Sequence, residues 1–199
     1  DPRSTESARE LANHLGMRLE IIELEKMHAA VESVFGDERS AGIGGENIQA
    51  RLRMITLMSF INQQKGFLIN TSNKTELTLG YSTLYGDMAG TISPLGDLTK
   101  PEVYALAKWI NSEFRSMNYE SGVIPKFVME RKSSAELREG QVDPFDYDVV
   151  APELEKLVVA NQSNGAMRAS EHKRLQMGLV LKISEKSFGS GRLMPITRK

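Results

Sequence analysis

Residues 4–15 carry Ala8, Leu11, Ala12 and Leu15 at spacings that share one helical face, and Gly16 stands where such a helix would stop. Leu19-Glu20-Ile21-Ile22-Glu23-Leu24 is short and rich in apolar residues, which predicts a strand. A second helix is expected over 26–35, followed by a loop over 36–45 marked by Gly36, Gly42, Gly44 and Gly45. The longest helix is expected over 46–64. There Ile48, Leu52, Met54, Ile55, Leu57, Met58 and Ile61 cover more than one stripe, so burial on more than one side is expected. Phe67-Leu68-Ile69-Asn70 is a compact apolar run that predicts a strand buried on both faces. A short helix follows over 73–80. Thr99-Lys100-Pro101-Glu102 opens the next, with threonine as cap, glutamate three residues on and proline in the first turn, and the helix is expected to run to about Met117. Gly122, Pro125, Gly140 and Pro144 break any periodicity over 121–145. Helices return over 146–160 and 171–186, the last ended by Gly189 to Gly191.

Strands alternating with helices predict an α/β protein built on a doubly wound parallel sheet, with a helical C-terminal part. Ligands in such sheets sit beyond the carboxyl ends of the strands, which directs attention to Asn70–Asn73. The length of 199 residues suits one such domain. Hydrophobic residues at 40% and charged residues at 26% are ordinary globular values. A net charge of −1 provides no basic field to gather nucleic acid, so any polyanion must be held by a few placed residues. The absence of cysteine excludes disulfides, thiolate catalysis and cysteine zinc sites. It is compatible with a cytosol, and a soluble, cytoplasmic protein is expected. With only His14, His28 and His172, a histidine metal cluster is not expected.

Several segments carry a resemblance. They are Glu46-Asn47-Ile48-Gln49-Ala50-Arg51, Thr71-Ser72-Asn73-Lys74-Thr75-Glu76 and Gly80-Tyr81-Ser82-Thr83-Leu84-Tyr85-Gly86-Asp87-Met88-Ala89-Gly90. Lys100, Ser133 to Arg138, Glu171-His172-Lys173-Arg174 and the Phe188-to-Ile196 end add to them. In this order and spacing they resemble the synthetase domain of NAD⁺ synthetases, and the forms at 46–51 and 85–90 look more like the glutamine-dependent branch. That family's domain opens with a strand and an ATP pyrophosphate loop, Ser-Gly-Gly-x-Asp-Ser, which does not occur here. The adjacent pair Gly44-Gly45 has Ile43 before it and Glu46 after. Residues 1–199 are therefore expected to be a partial synthetase domain, a sheet of the adenine-nucleotide ATP-pyrophosphatase type incomplete at its N-terminal side, inactive when alone.

The resemblance implies a ligase that amidates deamido-NAD⁺ to NAD⁺ through an adenylated intermediate, releasing AMP and pyrophosphate. ATP is a substrate, Mg²⁺ the implied metal, ammonia free or glutamine-derived, and a homodimer or higher homo-oligomer the implied assembly. It places Thr71, Lys100 and Ser134 on ATP, and Glu76 at the metal or the deamido-NAD⁺. Lys100 and Glu76 are the implied catalytic pair. Asn47, Arg51, Tyr81, Ser82, Thr83, Leu84, His172 and Lys173 are the implied deamido-NAD⁺ contacts. Taken alone, the same residues have plainer uses. Asn73 with Glu76 is a capping-box pattern, Asn47 and Arg51 share a polar helical face, Ser134 suits a cap, and the tyrosines could cover core. Lys100 is anomalous, because a cation in a first helical turn is unfavourable against the helix dipole. Two alternatives stand beside the ligase: a non-catalytic nucleotide-binding or dimerisation remnant, and a related ATP-pyrophosphatase amidating enzyme with another acceptor.

Overall fold

The computed structural model describes residues 1–115, 122–159, 179–181 and 183. Its elements run α1 (Pro2–His14), α2 (Glu25–Phe35), α3 (Asp37–Ser40), α4 (Gly42–Gln64), α5 (Lys74–Leu79), β1 (Ile92–Ser93), α6 (Lys100–Arg115), α7 (Lys126–Glu130), α8 (Tyr147–Val159) and β2 (Leu179–Val180). Two compact units emerge: Asp1–Glu23 with Pro101–Phe145, and Leu24–Lys100 with Asp146–Lys199. Among the described residues no helix is long and apolar enough to cross a membrane.

In the first unit α1 starts with Pro2, whose missing amide costs nothing at a helix start, and buries Ala12. The break expected at 121–145 contains one short helix, α7, and around it side chains replace backbone ladders. Asn111 binds both the Ile124 amide (2.8 Å) and the Ile124 carbonyl (3.0 Å). Arg131 pairs with Glu136 at 2.9 Å, and Ser4 donates to the same carboxylate at 2.7 Å.

The second unit holds the parallel pairing. β1 and β2 are paired in parallel with Ile92 opposite Leu179 and Ser93 opposite Val180, and Ile69 forms a parallel bridge to Ile92. Leu77 (0%), Met88 (0%) and Val158 (2%) form a core cluster against which Leu84 packs.

Four expectations are corrected here. Residues 19–24 form no strand; Ile21 and Ile22 are about half exposed, and the apolar positions 19, 21, 22 and 24 do not alternate as a half-buried strand requires. Nor is 36–45 a plain loop: α3 forms within it and α4 begins at Gly42, four residues before the expected start. Gly45 serves close approach, since a Cβ there would lie 2.0 Å from the Ser40 carbonyl oxygen, whereas Gly36 and Gly42 take positive φ of 75° and 57°. Phe67–Asn70 is bridged on one side rather than buried on both, with Phe67 64% and Ile69 52% exposed. Finally, Leu179–Val180 lies in a strand where the helix over 171–186 was expected, because β1 supplies its ladder partner; the neighbouring positions 171–178, 182 and 184–186 lie outside the described residues. As for α4, it buries Ala50, Leu52 and Met54, while Ile55, Leu57 and Met58 lie exposed on this chain.

Candidate functional site

The site grows from the N-terminus of α5, in the second unit. Asn73 caps this helix: its Oδ1 accepts from the Glu76 amide at 3.1 Å, while Glu76 Oε2 accepts from the Asn73 amide at 3.4 Å. The capping box thus forms as the sequence predicts, and it fixes the Glu76 side chain at the mouth of the helix. The other carboxylate oxygen, Oε1, meets Lys100 Nζ at 2.9 Å, with both side chains about one-fifth exposed. Lys100 also lies over the Tyr147 ring, 5.3 Å from its centroid. The anomalous cation therefore has a carboxylate and an aromatic face for company, which offsets the unfavourable dipole. Thr71 stands exposed two residues before the cap, just past the Ile69 bridge.

On the same unit the segment 81–87 folds against α4. Thr83 Oγ1 donates to Asn47 Oδ1 at 2.6 Å, and Arg51 Nε donates to the Leu84 carbonyl at 3.1 Å. Asn47 and Arg51, one turn apart, thus act on the same segment. Tyr81 is tied back to α5 through its amide, which donates to the Glu76 carbonyl at 3.0 Å, and Ser82 follows it, half-buried. Tyr85 reaches a left-handed φ of 59° and exposes its ring, at 68%. Asp87 closes the turn by accepting the Thr83 amide at 2.7 Å. Burial pushes the Asp87 carboxyl above its ordinary value; hydrogen bonds from Thr83 oppose this, and the negative charge of Glu76 reinforces it. The Tyr81 amide on the Glu76 carbonyl is the bond that joins the two halves of the site, the Glu76–Lys100 pair and the 81–87 segment.

Three residues that shape the site were given no individual role from sequence, although the strand-end rule pointed at the stretch that Asn70 opens. Asn70, 2% exposed, donates to the Asp87 (2.6 Å) and Ala89 (3.2 Å) carbonyls and accepts the Ser72 amide at 3.0 Å. A polar residue closing an apolar run was the available signal. Lys74 and Asp97 form a buried ion pair at 2.9 Å, and no local pattern announces it. Among the expected residues, Ser134 belongs to the other unit, where its hydroxyl accepts the Glu136 amide at 3.0 Å. His172 and Lys173 lie outside the described residues.

No group of three carboxylate or imidazole side chains among the described residues could hold a metal ion by itself. Glu76 already binds protein donors through both oxygens, yet a carboxylate has about four lone-pair sites. It can therefore give one ligand to a Mg²⁺ ion whose other ligands are phosphate and water oxygens.

The NAD synthase family model matches residues 1–187. This chain belongs to the NAD synthase family. It is 40% identical over 168 residues to the glutamine-dependent NAD⁺ synthetase of Rhodobacter capsulatus, covering 80% of this chain and 30% of that one. Two solved structures share its fold. NMN synthetase from Francisella tularensis superposes with a TM-score of 0.66 at 26% identity, over 84% of this chain and 65% of that one. Glutamine-dependent NAD⁺ synthetase from Acinetobacter baumannii, in complex with adenosine diphosphate, gives 0.59 at 32% identity, over 80% and 28%. The chain thus spans less than half the length of the glutamine-dependent NAD synthase relatives named here. Its kinship supports an α/β architecture although its described part is rich in helix.

Proposed function

We propose that residues 1–199 are part of the synthetase domain of an NAD⁺ synthetase, a carbon–nitrogen ligase that converts deamido-NAD⁺ to NAD⁺ with ATP. In this reading the nicotinate carboxylate attacks the α-phosphorus of ATP, forming an acyl–phosphate bond and expelling pyrophosphate. Ammonia then attacks the activated carbonyl and AMP departs with the acyl oxygen. Adenylation is needed because a carboxylate is a poor electrophile. The first step brings an anion against a polyanion, so preorganised positive charge must carry much of the catalysis.

The observation that carries the reading is the Glu76–Lys100 pair, tied through the Tyr81 amide to a segment braced by Asn47 and Arg51. Lys100 would exchange Glu76 for ATP phosphate oxygens, and Glu76 would supply one oxygen toward Mg²⁺ or orient the acid. Thr71, exposed beyond the strand-like segment, would contact ATP, and the family resemblance gives Ser134 the same role. Asn47, Arg51, Tyr81, Ser82, Thr83 and Leu84 would hold the dinucleotide, with His172 and Lys173. We further propose a cytoplasmic enzyme, a sheet of the ATP-pyrophosphatase type, ammonia drawn free or from glutamine, and a homodimer that covers the exposed Ile55, Leu57 and Met58 of α4.

The test is NAD⁺ formation from deamido-NAD⁺, ATP and ammonia by the protein that carries this chain. Glu76→Ala and Lys100→Ala should each lower kcat by about 10²-fold or more, the size expected for losing one charge stabiliser, while circular dichroism stays unchanged. Near-normal rates in both variants would overturn the assignment. Offering nicotinate mononucleotide beside deamido-NAD⁺ separates the acceptors.

A further inference from the structure

Lys74 follows the capping asparagine of α5, and 1% of its side chain is exposed. Its ammonium meets two carboxylates, Asp97 Oδ1 at 2.9 Å and Glu155 Oε1 of α8 at 2.8 Å. The Asp97 side chain is itself 0% exposed. Burial works against the lysine's charge, yet hydrogen bonds and charge from Glu155 and Asp97 outweigh it and hold Lys74 above its ordinary value. Lys74 is thus a fixed cation that cannot reach a substrate. A buried ion pair is a weak source of stability, since apolar residues of similar volume often serve as well. Its position suggests another use.

Residues 74–76 run beside residues 97–100, joined rung by rung. The Lys74 amide donates to the Leu98 carbonyl at 2.7 Å, and the Lys100 amide donates to Thr75 Oγ1 at 3.1 Å. Glu76 with Lys100 closes one end and Lys74 with Asp97 closes the other. α8 braces both ends, with Glu155 on Lys74 and the Tyr147 ring under Lys100. The second Asp97 oxygen accepts the Ile183 amide, just past β2.

We infer that Lys74 and Asp97 are positioning residues that hold the Lys100 ammonium in register with Glu76 for the ligase reaction. The inference rests on the function proposed above. Neither residue touches substrate; both act by fixing the strand of chain that carries Lys100. Because misplacing a reacting group by about 1 Å can cost about 10²-fold, loss of the pair should lower kcat by roughly ten- to a hundredfold.

The experiment uses the protein that carries this chain, comparing Lys74→Met, Asp97→Asn and the double variant with and without Lys100→Ala. Each single variant should lower the thermal midpoint, because Lys74→Met leaves the buried Asp97 carboxylate without its cation and Asp97→Asn leaves the buried lysine with only the part-exposed Glu155. The double variant should recover most of that midpoint while its kcat stays low and its KM for deamido-NAD⁺ stays near the wild-type value. In the Lys100→Ala background the double substitution should add little further loss of rate, since both act through one group. A folded double variant with wild-type kcat overturns the inference, and so do losses that multiply with Lys100→Ala. If the double variant does not fold, Asp97→Asn, which keeps the side-chain shape, is put through the same comparison. Near-normal activity of Lys100→Ala alone would instead overturn the assignment of the site.

Discussion

A lysine in the first turn of a helix faces the positive end of the peptide dipoles, and Lys100 meets that cost with a carboxylate at 2.9 Å and the Tyr147 ring beneath it. The same glutamate closes the capping box of its own helix, α5, through its second oxygen, so capping and pairing fall to different atoms of one residue. The two readings of Glu76 offered by its sequence are therefore compatible. Removing the cap has a separate cost. Asn73→Ala should destabilise the native state by about 1 kcal/mol, measured by urea denaturation, whereas Asn73→Asp, which keeps an acceptor, should lose less. Glu76, Lys100, Asn47 and Arg51 were singled out because their segments are distinctive in sequence. Lys74 was not, because a lysine near a helix start reads as a solvated cation until Asp97 and Glu155 arrive from elsewhere in the chain.

α5 has six residues, too few to be stable in isolation. It persists because its capping box satisfies the first amides and because Leu77 is fully buried against Met88 and Val158. Leu77→Ala should accordingly cost about 2–5 kcal/mol, seen as a lower midpoint in chemical denaturation. The segment leading into α5 depends equally on fit. Asn70 lies so close to Gly90 that a Cβ there would stand 2.6 Å from Asn70 Cβ and 2.9 Å from the Asn70 amide nitrogen. Gly90→Ala should therefore displace the Asn70 hydrogen bonds and cost about 1–3 kcal/mol, in the range for overpacking. Thermal scans check it, and an unchanged midpoint would show that the backbone there has room to yield.

Over the whole molecule, two carboxylates give stability a pH dependence of opposite sign. Burial works to raise Glu136, but hydrogen bonds from Ser4 and Arg131 and the charge of Arg131 leave it below its ordinary value of 4.5. A lowered carboxylate stabilises the native state above its ordinary value and stops doing so as pH falls through the lowered one. Asp87 is raised above 3.8, so its contribution is present below that value and is lost as pH rises through the raised one. Glu136→Gln should then lower the thermal midpoint at pH 7 by more than at pH 3, and Asp87→Asn should raise it at pH 7 with the gain vanishing at low pH. Midpoints that track wild type at every pH would contradict the stated origin of both shifts.

Helix bounds came from sequence nearly intact for α1, α2, α5, α6 and α8, because capping residues, prolines, glycines and a 3.6-residue period act within a few positions of the bonds they govern. The kinship that identifies the family was also in the chain itself, as short ordered segments around Asn47, Thr71, Tyr85 and Lys100. Tertiary structure alone decided where strands form. Leu179–Val180 pairs with β1 across more than eighty residues, and the run at 19–24 stays irregular, with no ladder partner among the described residues. It alone decided, too, that Lys74 is buried between two acids while Ser134 belongs to another unit. The reason is the range of the forces. A helix closes its hydrogen bonds on its own neighbours, whereas a strand's ladder and a buried charge's partner must come from distant parts of the chain.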